Sequence, residues 1–212
     1  LGGHHISALP NLFQSQNTMK KQTISVVIAV KNEEKNIQSC LESVKWANEI
    51  IIIDNGSTDK TVEICKKYTK NIFVGDGGPL GLIEYNKNIG IKKARSDWIF
   101  IIDADERCTD ALKKDIPMKI KNTSVNGYTI PFLCTMFGKE LQCTYQYDLP
   151  AIRFFRKGRG FYKAERNHEP LQLQGKVEDI KTPLIHIWIP SVQHFMKKMS
   201  SYPAQDAAYF SK

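Results

Sequence analysis

The 212-residue chain has no apolar run approaching the roughly 20 residues that cross a bilayer as a helix, which excludes a helical membrane protein. It also lacks paired cysteines. Cys40, Cys65, Cys108, Cys134 and Cys143 are odd in number and never reach CxxC spacing, so a zinc site or disulfide framework is not expected. Buried, reduced thiols in a cytosolic protein are the simpler reading. Internal repeats, low-complexity tracts and a linker are absent, and 42% hydrophobic with 25% charged residues is not the composition of a disordered, collagen-like or coiled-coil chain. Residues 1–18 have no basic stretch followed by an apolar core, so they do not read as a secretory signal. They read as a leader or loose extension ahead of Met19. What the chain has in excess is positive charge: Lys+Arg 30 against Asp+Glu 22, a net +8. That surplus favours a polyanionic partner, whether nucleic acid, anionic membrane or phosphorylated substrate, without choosing among them.

Hydrophobic patterning supplies the fold class. Ile24 to Val30, Ile50 to Ile53, Ile72 to Val74 and Trp98 to Ile102 are short, largely β-branched apolar runs and read as buried strands. Between them Ile37, Cys40, Leu41 and Val44 recur at helical spacing, with Asn32 or Asn36 as cap. Thr58-Asp59 opens a second helix that turns Val62, Cys65 and Tyr68 inward, and a third runs from Leu82 to Arg95. Strands apolar on both faces, alternating with helices, predict an α/β fold: a Rossmann-like, mostly parallel central sheet flanked by helices. Beyond Asp110 the pattern becomes irregular and aromatic-rich, with strands at Tyr128 to Phe132 and Ile152 to Phe155. One domain over 19–212 is expected, with a nucleotide-binding half at 19–110 and a more variable half at 111–212.

Ligands of such sheets bind at the carboxyl ends of the strands. Here those ends carry Asn32-Glu33, Asp54 and Asp103-Ala104-Asp105-Glu106. Two carboxylates one residue apart suit a hard cation such as Mg²⁺ or Mn²⁺, especially when a diphosphate completes the shell. A solvated acidic turn is the alternative, and the spacing alone does not decide. Asp54 is placed either to accept from a base or ribose or simply to close a βα turn in which Gly56 allows the tight bend.

Taken together, Val26-Val27-Ile28-Ala29-Val30-Lys31-Asn32-Glu33, Glu49 to Asp59 and Asp97 to Glu106 resemble family 2 glycosyltransferases of the GT-A fold. Tyr85-Asn86-Lys87-Asn88-Ile89-Gly90, Arg153-Phe154-Phe155-Arg156 and Asn167-His168-Glu169 resemble the branch that includes lipopolysaccharide-core β-glucosyltransferases. Asn167 departs from the aliphatic residue usual before the His-Glu pair. The resemblance implies an inverting, metal-dependent transfer of a hexose from a nucleotide sugar, a UDP-hexose, to a saccharide or glycolipid hydroxyl in cell-surface glycan synthesis. It implies donor contacts at Val30, Glu33, Asp54, Lys87, Asp103 and Ala104, and metal contacts at Asp103, Asp105 and the late histidine His186. It makes Glu169 the base, with His168 positioning its neighbours. A salt bridge to Arg166 is the competing reading of Glu169, and a structural histidine that of His186. A cytoplasmic enzyme, peripheral at the inner face of the membrane, is the implied setting. The competing functions are transfer to a polyprenyl phosphate and a non-catalytic nucleotide-sugar or glycan-binding module.

Arg153, Arg156, Lys157 and Arg159 form the densest basic cluster. Arg153 and Arg156 are expected to grip donor pyrophosphate or an acidic acceptor, with Lys157 and Arg159 solvated. No recognised nucleic-acid-binding fold accompanies the positive charge, so nucleic acid is not an expected partner. After Pro190, Ser191 caps a helix whose Val192, Phe195, Met196 and Met199 share one face, expected to pack on the core, with docking on an anionic membrane as the alternative.

Overall fold

The computed structural model describes residues 21–141, 151–166, 169–189, 191–193 and 195–196. In chain order the elements are β1 (Ile24–Val30), α1 (Ile37–Val44), β2 (Glu49–Asp54), α2 (Thr61–Cys65), β3 (Ile72–Val74), α3 (Ile83–Lys93), β4 (Trp98–Ile101), β5 (Glu106–Cys108), α4 (Asp110–Lys119) and β6 (Gly127–Ile130). There follow β7 (Phe132–Met136), β8 (Lys139–Glu140), β9 (Ala151–Arg156), β10 (Gly160–Phe161), β11 (Gln172–Leu173), β12 (Val177–Asp179) and β13 (Leu184–Ile189).

Seven strands form the main sheet in the order β12-β6-β9-β4-β1-β2-β3. β4, β1, β2 and β3 run parallel, as the apolar runs predicted. β9 then joins β4 antiparallel, so the second half of the chain extends the first half's sheet. A smaller four-stranded sheet, β5-β13-β7-β8, lies beyond the end of β4.

Successive strand residues face opposite sides of a sheet, and the core divides accordingly. Val26, Ile28, Ile52, Trp98 and Phe100 pack with Ile37, Leu41 and Val44 of α1 and with Leu112 and Ile116 of α4. Val27, Ala29, Ile51, Ile53, Ile99 and Ile101 pack with Ile91 of α3 and with Tyr162 and Leu171. A helix covers each face, so no strand residue of β1 meets water. Trp98, Phe154 and Tyr128 stack across three neighbouring strands, with ring centroids 4.8 Å and 6.1 Å apart between successive rings.

Several local expectations change. Neither asparagine caps α1 through its side chain: Asn36 Nδ2 donates to Glu33 Oε2 at 2.9 Å, and Asn32 Oδ1 accepts from the Thr58 N–H at 2.8 Å. α2 begins at Thr61, and only Cys65 of its expected inward set is fully buried. The four cysteines among the described residues are buried and unbridged. Past Ser191, Val192 and Met196 are exposed, so these two do not pack on the core as expected, and Met199 lies outside the described residues. The leader at 1–18, Met19, Cys143 and Pro190 also lie outside them. No described helix is long and apolar enough to cross a membrane.

α3 approaches β1 closely at Gly90. A Cβ there would stand 2.3 Å from Val27 Cγ1, a methyl on a stiff branched side chain inside the sheet. Alanine is intrinsically the better helix former by about 1 kcal/mol, yet overpacking costs about 1–3 kcal/mol. An approach of 2.3 Å lies at the severe end of that range, so Gly90→Ala is expected to lower stability by about 2 kcal/mol after the helix gain, in urea denaturation. An unchanged or raised midpoint would show that α3 can lift away freely.

Candidate active site

The carboxyl ends of β1, β2 and β4 bring the polar residues to one edge. Val30 ends β1 and is buried. The next turn places Asn32 at φ 56°, a left-handed conformation that asparagine tolerates. Its N–H donates to Ser57 Oγ at 2.9 Å, which stitches the loop after β1 to the loop after β2. Both carboxylate oxygens of Asp54 lie 3.2 Å from the Ser57 N–H and accept from it. Asp59 accepts from Thr61 N–H at 2.9 Å, closing the turn into α2. Glu33 is mostly buried. Burial raises its pKa, the Asn36 hydrogen bond opposes that, and the charges of Asp105, Asp103 and Asp59 add to the rise.

After β4 the chain folds back in a turn locked at both ends. Glu106 N–H donates to the Asp103 carbonyl at 2.9 Å, and the Glu106 carboxylate accepts from the Asp103 N–H at 2.8 Å. The Arg107 guanidinium holds the Ala104 carbonyl at 2.8 Å and the Asn36 carbonyl at 3.0 Å, tying the turn to the start of α1. Within this frame the two aspartates separate. Asp103 lies between cations, with Lys87 Nζ 2.7 Å from Oδ1 and Arg153 NH1 3.2 Å from Oδ2. Arg153 NH2 also reaches Glu106 Oε1 at 2.8 Å. Burial disfavours the ionised form of Asp103, but Lys87 and Arg153 outweigh it and hold the carboxyl well below the usual range. Glu106 is 1% exposed, and there burial prevails: its pKa rises despite Arg153, helped by the charges of Asp103 and Asp105.

Asp105 faces away from that cluster. Its Oδ2 is 3.3 Å from His186 Nε2, because β13 pairs antiparallel with β5 in a register that sets His186 opposite Glu106. Burial works against protonating His186, and the hydrogen bond and charge of Asp105 outweigh it, so its pKa lies above the ordinary value. The Asp105 and His186 side chains remain 34% and 19% exposed, open enough to receive a ligand. No group of three or more His, Cys, Asp or Glu gathers for a metal among the described residues. An oxygen and an imidazole nitrogen fit a divalent cation that takes its remaining ligands from a substrate. Asp103, expected beside Asp105 on that cation, instead has each oxygen on a protein cation.

A cavity of about 620 Å³ opens at this edge, lined by Glu84, Lys87, Asp103, Arg153, Tyr162 and Glu169 among others. Glu169 is buried, and its Oε2 accepts from the Glu165 N–H at 3.0 Å. The described ion pairs include none between Glu169 and Arg166. His168 lies outside the described residues. Asn88 fixes the cavity wall, donating to the Tyr162 carbonyl at 2.7 Å and accepting from its N–H at 2.9 Å. A second cavity, about 450 Å³, opens at the amino ends of the strands beside Trp46, Pro117 and Ile120 and has no carboxylate in its lining.

Arg156 does not join Arg153. The pairing of β9 with β6 shifts register between Ile152 and Phe154, leaving Arg153 as the extra residue, while the register with β4 sets Arg156 beside Trp98 at the start of that strand. There its guanidinium lies 4.5 Å from the Trp98 ring and donates to the Val125 carbonyl at 2.9 Å. Reading the sequence singled out neither Glu84 nor Tyr162 as a lining residue and gave Glu106 no role. Glu106 stood in the acidic motif, whereas Glu84 had no local signal.

The model of a family described as "Glycosyl transferase family 2" matches residues 25–173. The lipopolysaccharide core biosynthesis glycosyltransferase LpsC of Rhizobium meliloti is 27% identical over 176 residues, covering 78% of this chain and 63% of its own. A glycosyltransferase of Haemophilus influenzae, itself uncharacterised, is 31% identical over 136 residues, covering 58% of this chain and 53% of its own. The chain thus spans less than two thirds of the length of either relative. The crystal structure of S. aureus TarS has the same fold, with TM-score 0.58 and 19% identity, covering 84% of this chain and 38% of that one. TarS 1–349 in complex with UDP gives TM-score 0.55 at 16% identity, covering 84% of this chain and 63% of that one.

The two aspartates differ in what their removal leaves behind. Asp103→Asn leaves buried Lys87 without its carboxylate and Arg153 with Glu106 alone, and is expected to cost about 3 kcal/mol of stability. Asp105→Asn removes a half-exposed pairing and is expected to cost about 1 kcal/mol or less. Urea denaturation of the two variants checks the order, and equal losses would show that the Asp103 cluster is as solvated as the Asp105 pair.

Proposed function

Since the chain belongs to glycosyl transferase family 2, we propose that it transfers a hexose from a nucleotide sugar to a hydroxyl of a saccharide acceptor, with inversion. One observation carries this reading: Glu169 shares a cavity with Asp103, Lys87 and Arg153 at the carboxyl edge of a parallel sheet. The name of LpsC supports an acceptor of the lipopolysaccharide-core type. The UDP complex of TarS 1–349 supports a uridine nucleotide as carrier.

In this reading Val30, Glu33 and Asp54 border the nucleoside, with the Asp54 carboxylate accepting from base or ribose. Asp103, fixed by Lys87 and Arg153, orients the transferred hexose through its hydroxyls. Glu169 takes the proton of the acceptor hydroxyl as that oxygen forms its bond to the anomeric carbon. The bond from that carbon to the diphosphate oxygen breaks on the opposite face, and the nucleoside diphosphate leaves with the electron pair. Asp105 and His186 would hold a divalent cation, Mg²⁺ or Mn²⁺, that supplies positive charge to the departing diphosphate. Burial of Lys87 and Arg153 keeps the frame dry, which strengthens their hold on Asp103. The acceptor saccharide resides on a glycolipid, and the enzyme works in the cytoplasm at the membrane face.

Glu169→Gln keeps the shape and removes the base. Transfer is expected to fall by about 10²–10⁴-fold while UDP affinity stays within about twofold. Transfer near wild type would exclude Glu169 as the base. Separately, UDP with Mn²⁺ is expected to raise the melting temperature, because a ligand bound only to the native state stabilises it. Chelation, or Asp105→Ala with His186→Ala, is expected to abolish that rise. A rise that survives both would remove the cation from this site.

A further inference from the structure

We propose that Cys134 is a positioning residue for the cation-binding imidazole: its sulfur accepts the Nδ1–H of His186 and so leaves the Nε2 lone pair facing Asp105. The inference rests on the reading above in which Asp105 and His186 hold the divalent cation. It adds a residue that the sequence showed only as a buried thiol.

The placement follows from the smaller sheet. β13 lies between β5 and β7, and its register sets His186 opposite Glu106 on one side and opposite Cys134 on the other. Side chains alternate faces along a strand, so residues paired across strands share a face, and strand pairing itself brings the thiol to the ring. The Ile187 N–H donates to the Asp105 carbonyl at 2.9 Å, which holds the same stretch of β13 against the acidic turn. Three groups then fall in line: Cys134 Sγ is 3.8 Å from His186 Nδ1, and Asp105 Oδ2 is 3.3 Å from His186 Nε2. The Phe132 ring packs beside the imidazole with centroids 5.8 Å apart. Cys134 is 3% exposed, so its contact with Nδ1 is shielded from water on that side.

An imidazole binds a cation through an unprotonated nitrogen, and the other nitrogen carries the proton. Metal-bound histidines almost always donate that proton to a neighbouring acceptor, which fixes the tautomer and the ring orientation. Here the side chain that meets Nδ1 is a thiol, a weak acceptor that also donates. It therefore suits both states of the ring. With Asp105 accepting from Nε2–H, the thiol donates to Nδ1; with Nε2 given to a cation, the sulfur accepts from Nδ1–H.

Calorimetric titration of Mg²⁺ into the chain with UDP present compares the wild type with Cys134→Ser and Cys134→Val. Valine keeps the apolar packing of the thiol and removes the hydrogen bond, whereas serine keeps a group that donates and accepts but fills the site less well. Cys134→Val is expected to weaken Mg²⁺ binding about tenfold or more, and Cys134→Ser to stay within about threefold of wild type. A cysteine that merely fills the sheet gives the reverse order. Cys134→Val binding Mg²⁺ at least as tightly as Cys134→Ser overturns the inference and leaves the cation reading intact. The unaltered protein supplies a second measurement, ¹⁵N spectra in Mg²⁺ and UDP, with the His186 signals identified by their loss in His186→Ala. The ring proton is expected on Nδ1, and a proton on Nε2 in that state overturns the inference whatever the variants do. If Mg²⁺ with UDP does not bind the wild-type chain, or binds His186→Ala equally well, the cation reading fails and the inference with it.

Discussion

Asp103 between Lys87 and Arg153 is the interaction on which the rest of the site depends. Three elements contribute to it: α3 carries Lys87, the end of β4 leads into Asp103, and β9 carries Arg153. Burying an ion network of this kind adds little to stability over an apolar core of equal volume, yet removing one member is costly. Such a network acts chiefly as a fixture. Here it sets where β9 ends against β4, where α3 lies over the sheet, and which way the turn from Asp103 to Glu106 points. Through that turn it also settles the direction of Asp105, whose backbone carbonyl accepts from the Ile187 N–H at 2.9 Å. The two halves of the acidic motif thus do different work: one is bound into the protein and the other faces outward.

Much of the first half was legible because its signals are local. Uninterrupted β-branched runs can only be strands buried on both faces, and the polar residues that follow each run must then share an edge. Glu33, Asp54, Asp103 and Asp105 were found that way. Legibility ended where the decisive partners are distant in sequence. The spacing of Arg153 and Arg156 reads as one basic patch, but Arg153 stands at an irregularity of β9 and pairs with Asp103 and Glu106, whereas register sets Arg156 beside Trp98 at the far end of β4. Asp103 looked like a free ligand because nothing nearby in sequence announces that Lys87 and Arg153 converge on it. His186 sits in an apolar strand, and only the pairing of β13 with β5 and β7 gives it a functional neighbour. Glu84 carries no periodic or motif signal, and its place in the cavity follows from how α3 packs.

The positive surplus that first suggested a polyanionic partner has a different distribution in the structure. Lys87 and Arg153 in the cavity wall are paired with the protein's own carboxylates, and Arg156 is used against an aromatic stack and backbone carbonyls. Lys92 and Lys93 are exposed at the end of α3, and Lys66 and Lys67 in the turn after α2. Among the described lining residues of the cavity, three carboxylates stand against two cations, so local charge there does not follow the positive net charge.

That the third member of the cluster rides on β9 bears on how the molecule comes into being. A chain emerging from the ribosome completes β1 to β4 well before β9 exists, and in that interval Asp103 and Glu106 have only Lys87 to offset them. Contacts between segments so far apart in sequence close late, since the loop entropy must be met first. The pairing of Asp103 and Glu106 with Arg153 is therefore completed only when the antiparallel β9 docks on β4.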